Sequence, residues 1–177
     1  MEKRVSSTRV EPTFVWSDAW VLAAVAVGGG LKGCGLKEII AAGELINRAI
    51  LTAGEIRGAL GKLVHKGFVD RVDDDVFTIG GEARTAVERL LTQKSASSFG
   101  VMQFFEEFLN VNPYGPARAD AAEIDCPLPG LTDEHVRAAA QAYREELAAL
   151  WRELRRLDKQ SLPERAVRIL ELVSKTR

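Results

Sequence analysis

Residues 52–84, TAGEIRGALGKLVHKGFVDRVDDDVFTIGGEAR, constrain the fold of this chain more than any other stretch. Thr52 and Glu55 form a T-x-x-E capping box, in which each side chain satisfies a backbone N–H that the first helical turn leaves without a partner. Gly67 supplies a stop, because glycine enters the left-handed conformation at a helix C-terminus without steric penalty. Between them Ile56, Ala59, Leu60, Leu63 and Val64 recur at helical spacing. They therefore point one way, and positions 54, 57, 58, 61, 62 and 65 point the other. Residues 68–72 and 76–79 read as short β strands, with Asp73, Asp74 and Asp75 supplying turn chemistry between them. A further helix begins near Arg84.

The preceding residues add two more helices. Ser17 and Asp18 can cap a helix over residues 19–27, AWVLAAVAV, whose apolar surface on every side predicts burial. The run is too short for a bilayer span, which takes about 20 residues. It also lacks the early position and cleavage site of a signal peptide. Gly28, Gly29, Gly30, Gly33 and Gly35 then mark a loop. No GxxxxGK[ST] pattern is present, and a flexible connection outweighs a phosphate cradle. Residues 36–47 form the second helix, with Leu36, Ile39, Ile40 and Ile46 inward, either extended or broken at Gly43.

The run Ile56-x3-Leu60-x2-Leu63-x3-Gly67-Phe68-Val69-x-Arg71, followed by Phe77-x-Ile79, resembles the recognition helix and wing of winged-helix transcriptional regulators of the MarR and PadR kind. The resemblance covers residues 15–93. It implies a winged helix-turn-helix domain (15–94), which lies between an N-terminal arm (1–14) and a C-terminal helical segment (95–177) with one long helix, so that the fold is mainly α with a small β hairpin. It further implies a cytoplasmic, homodimeric DNA-binding regulator. The helix from Thr52 would enter the major groove, with Arg57 and Lys62 as contacts and Gly58, Gly61, His65 and Lys66 beside them. The expected wing tip is acidic here, whereas a wing that touches phosphates usually carries Arg or Lys.

Charge leaves a second class of function open. The net charge is −1, with 13 basic and 12 acidic residues up to position 94 and 11 and 13 after it, so there is no broad basic footprint for nucleic acid. The basic residues near the expected recognition helix are Arg57, Lys62 and Lys66 against Glu55. Lys3, Arg4 and Arg9 in the N-terminal arm could reach a minor groove, although a solvated terminus is the simpler reading. In the alternative function, the strip Gly54, Gly58 and Gly61 receives a helix from a protein partner, because small residues allow close approach.

Catalytic, metal and cofactor chemistry find no foothold in the sequence. The chain has two histidines, His65 and His135, and two cysteines, Cys34 and Cys126, with no C-x-x-C pairing. Free thiols in a reducing compartment are the expected state. Asp73, Asp74 and Asp75 lack the spacing of a calcium loop, and no nucleophile elbow is visible. The expectation is a non-enzymatic protein without metal or cofactor.

The second half is helical. Residues 99–109 carry Phe104, Phe105, Phe108 and Leu109, which favours core packing over a ligand pocket. Pro113, Pro116, Pro127 and Pro129 make residues 110–130 a loop, in which Tyr114 and Arg118 could meet a ligand or partner. Thr132 caps a long helix whose apolar positions are Val136, Ala140, Tyr143, Leu147, Leu150, Leu154 and Leu157. Their spacing of 4-3-4-3-4-3 is a heptad seam. Tyr143, Leu147, Leu150, Trp151 and Leu154 are the expected dimer interface. The alternative is an intramolecular hairpin with a final helix that starts at the Ser161/Glu164 capping box and presents Val167, Leu170 and Val173.

Overall fold

A helix that is apolar on every side must be covered on every side, and the fold is organised around that requirement. In the computed structural model, which describes residues 12–91, 98–112 and 126–157, this helix is α1, Trp16–Gly28. Its residues 19–25 are all buried. After it in the chain come β1 (Cys34–Gly35), α2 (Leu36–Asn47), α3 (Ala53–Lys66), β2 (Val69–Asp73), β3 (Val76–Ile79), α4 (Gly81–Leu91), α5 (Ser98–Leu109) and α6 (Asp133–Leu157). The described chain is thus mainly helical with one small three-stranded antiparallel sheet. Helices α2, α3 and α5 and strand β3 pack on α1.

The start of α1 differs from the expected Ser17/Asp18 cap. Val15 is the N-cap, and Asp18 sits inside the first turn, where its Oδ2 accepts the Val15 N–H at 2.7 Å. A carboxylate at this position reaches back to the cap residue as the Glu of a capping box does. It also lies where the helix dipole favours negative charge.

The expected hairpin is part of a larger sheet. The glycine loop contains β1, which pairs with β3 through Cys34–Phe77 and Gly35–Val76, giving the strand order β1-β3-β2. Two residues are too few to display an alternating pattern, so this strand could not be read from the sequence. Strand β2 begins one residue later than expected. The Phe68 N–H is taken by the Leu63 carbonyl at the end of α3 (3.0 Å), beside Gly67 at φ 73°. The pairing then slips between Arg71 and Asp73, leaving Val72 as a bulge, 65% exposed.

Helix α2 runs unbroken through Gly43. The glycine is buried against Leu51 and Trp20, and Trp20 Nε1 donates to the Gly43 carbonyl at 2.9 Å. Leu36, Ile39 and Ile40 are buried as expected, whereas Ile46 is only half-buried. Helix α5 belongs to the core: Phe105 is fully buried, and Phe108 meets Phe68 edge-on at 5.0 Å between ring centroids. Trp16 Nε1 donates to Glu106 Oε1 at 2.6 Å, joining the start of α1 to α5.

Two compact units, 1–140 and 141–177, divide within α6, so α5 and the segment 126–140 belong with the sheet and the first four helices. The expected boundary at 94 lies inside the first unit, because α5 packs on α1 and α2. Thr132 caps α6, its Oγ1 accepting the His135 N–H at 3.2 Å. Residues 1–11 of the N-terminal arm, Tyr114, Arg118 and the final helix expected after Ser161 lie outside the described residues.

Cys34 shows what the β1 edge does to a thiol. It is 5% exposed, and its Sγ–H points to the Val25 carbonyl at 3.6 Å. Burial, and then the nearby Glu38 carboxylate, push its pKa from 9.0 up to about 11. Above pH 9 the unfolded chain gives up this proton while the folded chain keeps it until about pH 11. Folding stability therefore falls as pH rises through that window. Urea titrations across this range are expected to show a decline in wild-type stability that Cys34→Ala lacks.

Candidate interaction face of the third helix

Helix α3 is bounded as its sequence predicts. Thr52 Oγ1 accepts the Glu55 N–H at 3.2 Å, Glu55 Oε2 accepts the Thr52 N–H at 2.8 Å, and Gly67 closes the far end in the left-handed conformation. Ile56, Ala59, Leu60 and Leu63 are buried, and Val64 is half-buried. The opposite face splits into an open part and a covered part.

Gly54 and Gly58 are open, with no atom within 4 Å of where a Cβ would stand, and His65 is exposed. Gly61 and Lys62 depart from the expected outward face. Gly61 is buried beneath the backbone of Cys126, so close that a methyl group would overlap the Cys126 carbonyl. The Lys62 ammonium is ion-paired with Asp18, and the two side chains are 12% and 2% exposed. A face that points away from its own helix core can still be covered by a remote segment, which helical periodicity alone does not register.

Arg57 is also engaged. Its Nε lies 2.8 Å from Asp133 Oδ1 at the start of α6. Both atoms are shielded from water, and the approach angle makes this an ion pair rather than an aligned hydrogen bond. Lys66 is half-buried in the last turn. On the hairpin, Arg71 Nε donates to the carbonyls of Asp74 (2.9 Å) and Asp73 (3.3 Å), and its Nη1 donates to the Pro129 carbonyl. Asp73, Asp74 and Asp75 are exposed.

Residues 126–133 thus form a strap across α3 and the hairpin. Leu131 and Val136 anchor it, at 4% and 2% exposure. Burying each such side chain contributes about 1.5–3 kcal/mol. The Arg57–Asp133 pair, with side chains 42% and 38% exposed, adds at most about 1 kcal/mol. The strap is held by apolar burial, and its ion pair sets its position. Beside it an open cleft of about 460 Å³ is lined by Asp18, Gly54, Arg57, Gly58, Lys62 and Cys126, among others.

The residues that define this face and escaped the sequence reading are Arg71, Cys126, Pro129 and, as a pairing partner, Asp18. A carboxylate at the head of an otherwise apolar helix was a usable signal, since a buried charge requires a counter-charge. Nothing local could have brought Cys126 or Pro129 to α3.

In the second unit, Tyr143, Leu147 and Leu154 are half-buried, while Leu150 and Trp151 are 37% and 54% exposed. Among the described residues no His, Cys, Asp or Glu cluster could hold a metal ion, and no helix is long and apolar enough to cross a membrane. Comparison with protein-family models, with curated proteins and with solved structures finds no match for this chain.

Removing Lys62 would take the ammonium away from a buried carboxylate. Truncating one partner of such a pair costs about 3–5 kcal/mol. Lys62→Ala is therefore expected to lower unfolding stability by about 3 kcal/mol in a urea titration, a loss that an exposed nucleic-acid contact would not produce.

Proposed function

We propose that this protein is a winged-helix module for protein–protein contact, non-enzymatic and cytoplasmic, that pairs as a homodimer along α6. The order α1-β1-α2-α3-β2-β3 with strand order β1-β3-β2 supports the winged-helix part. It agrees with the resemblance to MarR- and PadR-type regulators. The protein-contact part is carried by one observation: both cations expected to touch DNA, Arg57 and Lys62, are paired with carboxylates of their own chain. A helix whose cations are neutralised and whose Gly61 lies under Cys126 is poorly suited to a phosphate backbone. The exposed acidic hairpin tip opposes one further.

The dimer part rests on the seam of α6. Tyr143, Leu147, Leu150 and Leu154 follow heptad spacing, and Leu150 on the seam and Trp151 beside it are exposed. Helix-on-helix association of this type buries such residues against a second copy. Free Cys34 and Cys126 fit a reducing cytoplasm.

A DNA-binding homodimeric regulator is the second reading. The element order favours it, since in this arrangement the helix before the hairpin enters the major groove. The two readings separate in a titration of the full chain against random duplex DNA over a salt series. The protein-contact reading expects no binding even at low salt. Binding whose salt slope falls in Arg57→Ala would instead establish a DNA-contacting face. The dimer is tested by sedimentation: a wild-type dimer that Leu150→Glu converts to monomer is expected, and a monomer at every concentration would refute it.

A further inference from the structure

The strap touches the α3–hairpin face at three points, each time with an oxygen atom. The Cys126 carbonyl lies on Gly61, the Pro129 carbonyl accepts from Arg71, and the Asp133 carboxylate sits beside Arg57. Two of these oxygens belong to the peptide backbone. Residues 126–133 read CPLPGLTD, and Pro127 and Pro129 restrain the backbone and carry no N–H of their own. The strap therefore meets the face as a carbonyl-presenting chain that ends in an acid.

We infer that this face is a peptide-binding surface occupied in cis by residues 126–133, and that it accepts in their place a carbonyl-presenting, acidic segment of a protein partner. The inference rests on the protein-contact reading above and names the partner chemistry and its control. Arg57 and Arg71 match a carboxylate and carbonyls, and their positive charge complements an acidic segment. The exposed Asp73, Asp74 and Asp75 on the hairpin disfavour an incoming chain charged along its whole length, such as a polyphosphate, so the segment brings a carbonyl to Arg71 and confines its acid to Arg57, as the strap does. Gly61 admits backbone where any side chain would collide. The cleft at Gly54 and Gly58 leaves the neighbouring part of the face open, so an incoming segment can land there before the strap is displaced. Tethering gives the strap a high effective concentration, which keeps the face closed to weak competitors. Release requires extracting Leu131, so a partner must outbid a specific anchor.

The test uses the full-length protein and a fluorescein-labelled synthetic peptide of residues 126–133, followed by fluorescence anisotropy. Leu131→Ala combined with Asp133→Asn weakens the strap and is expected to bind this peptide at least about tenfold more tightly than wild type. Adding Arg57→Ala is expected to abolish that gain. Circular dichroism monitors the fold. If the double variant loses it, Asp133→Asn alone serves, with Leu131 and Val136 still in place and an expected gain of up to about fivefold. Equal binding by wild type and the folded weakened variant overturns the inference, as does a gain that survives Arg57→Ala. Salt-dependent duplex DNA binding that appears only in the weakened variant also overturns it, by making the covered face a nucleic-acid site. The failures are distinguishable. Lost peptide binding with the dimer intact and no DNA binding removes the strap inference alone, whereas DNA binding by wild type removes the protein-contact reading with it.

Discussion

Everything in the first unit depends on keeping α1 dry. Seven consecutive residues, 19–25, are buried, so no stripe of this helix tolerates water. An ordinary amphipathic helix needs a partner on one side; α1 needs α2, α3, α5 and β3 together. That demand also takes up α5, whose expected core packing is met by the buried Phe105 and Leu109. It also places Asp18, the one buried charged residue among those described, against the flank of α3. A carboxylate in that position requires a cation, and Lys62 meets the requirement. The same packing that protects α1 thus removes a lysine from the outer surface of α3.

The outer face of α3 is consequently divided by use. Its C-terminal part serves the interior: Lys62 is drawn to Asp18, and Gly61 carries the backbone of the strap. Its N-terminal part, around Gly54 and Gly58, stays open beside Arg57. Arg57 and Arg71 link the strap to the helix and hairpin, which turns two cations that could have served a polyanion toward oxygens of their own chain. The hairpin bulge at Val72 adds to this by sharpening the turn, and the Arg71 guanidinium lies over the carbonyls of that turn. Electrostatically, the face is left with its glycines, a histidine and an acidic rim.

How much of this was legible follows the range of the interactions. The boundaries of α3 could be read from Thr52, Glu55 and Gly67 because caps act within one turn. The inward set Ile56, Ala59, Leu60 and Leu63 could be read because helical periodicity is local. Strand β1 could not, since Cys34 and Gly35 become a strand only when Phe77 and Val76 come beside them. The start of α1 moved to Val15 because Asp18 works backwards from inside the turn. The candidate site was the least legible. Arg57 and Gly58 lie at or beside an accessible face as expected, but the positions of Gly61 and Lys62 are decided by Cys126 and Asp18, many residues away.

By itself the sequence determined the mainly helical character, the ends of α3, the hairpin around the three aspartates and the identity of the apolar helix that had to be buried. Each is set by neighbours a few residues apart, through capping, periodicity and turn chemistry. Only the tertiary structure decided which outward-pointing residues of α3 remain at the surface. Exposure is a property of the assembled chain: a side chain that turns away from its own helix core reaches solvent only where no other segment lies over it, and residues 126–133 lie there.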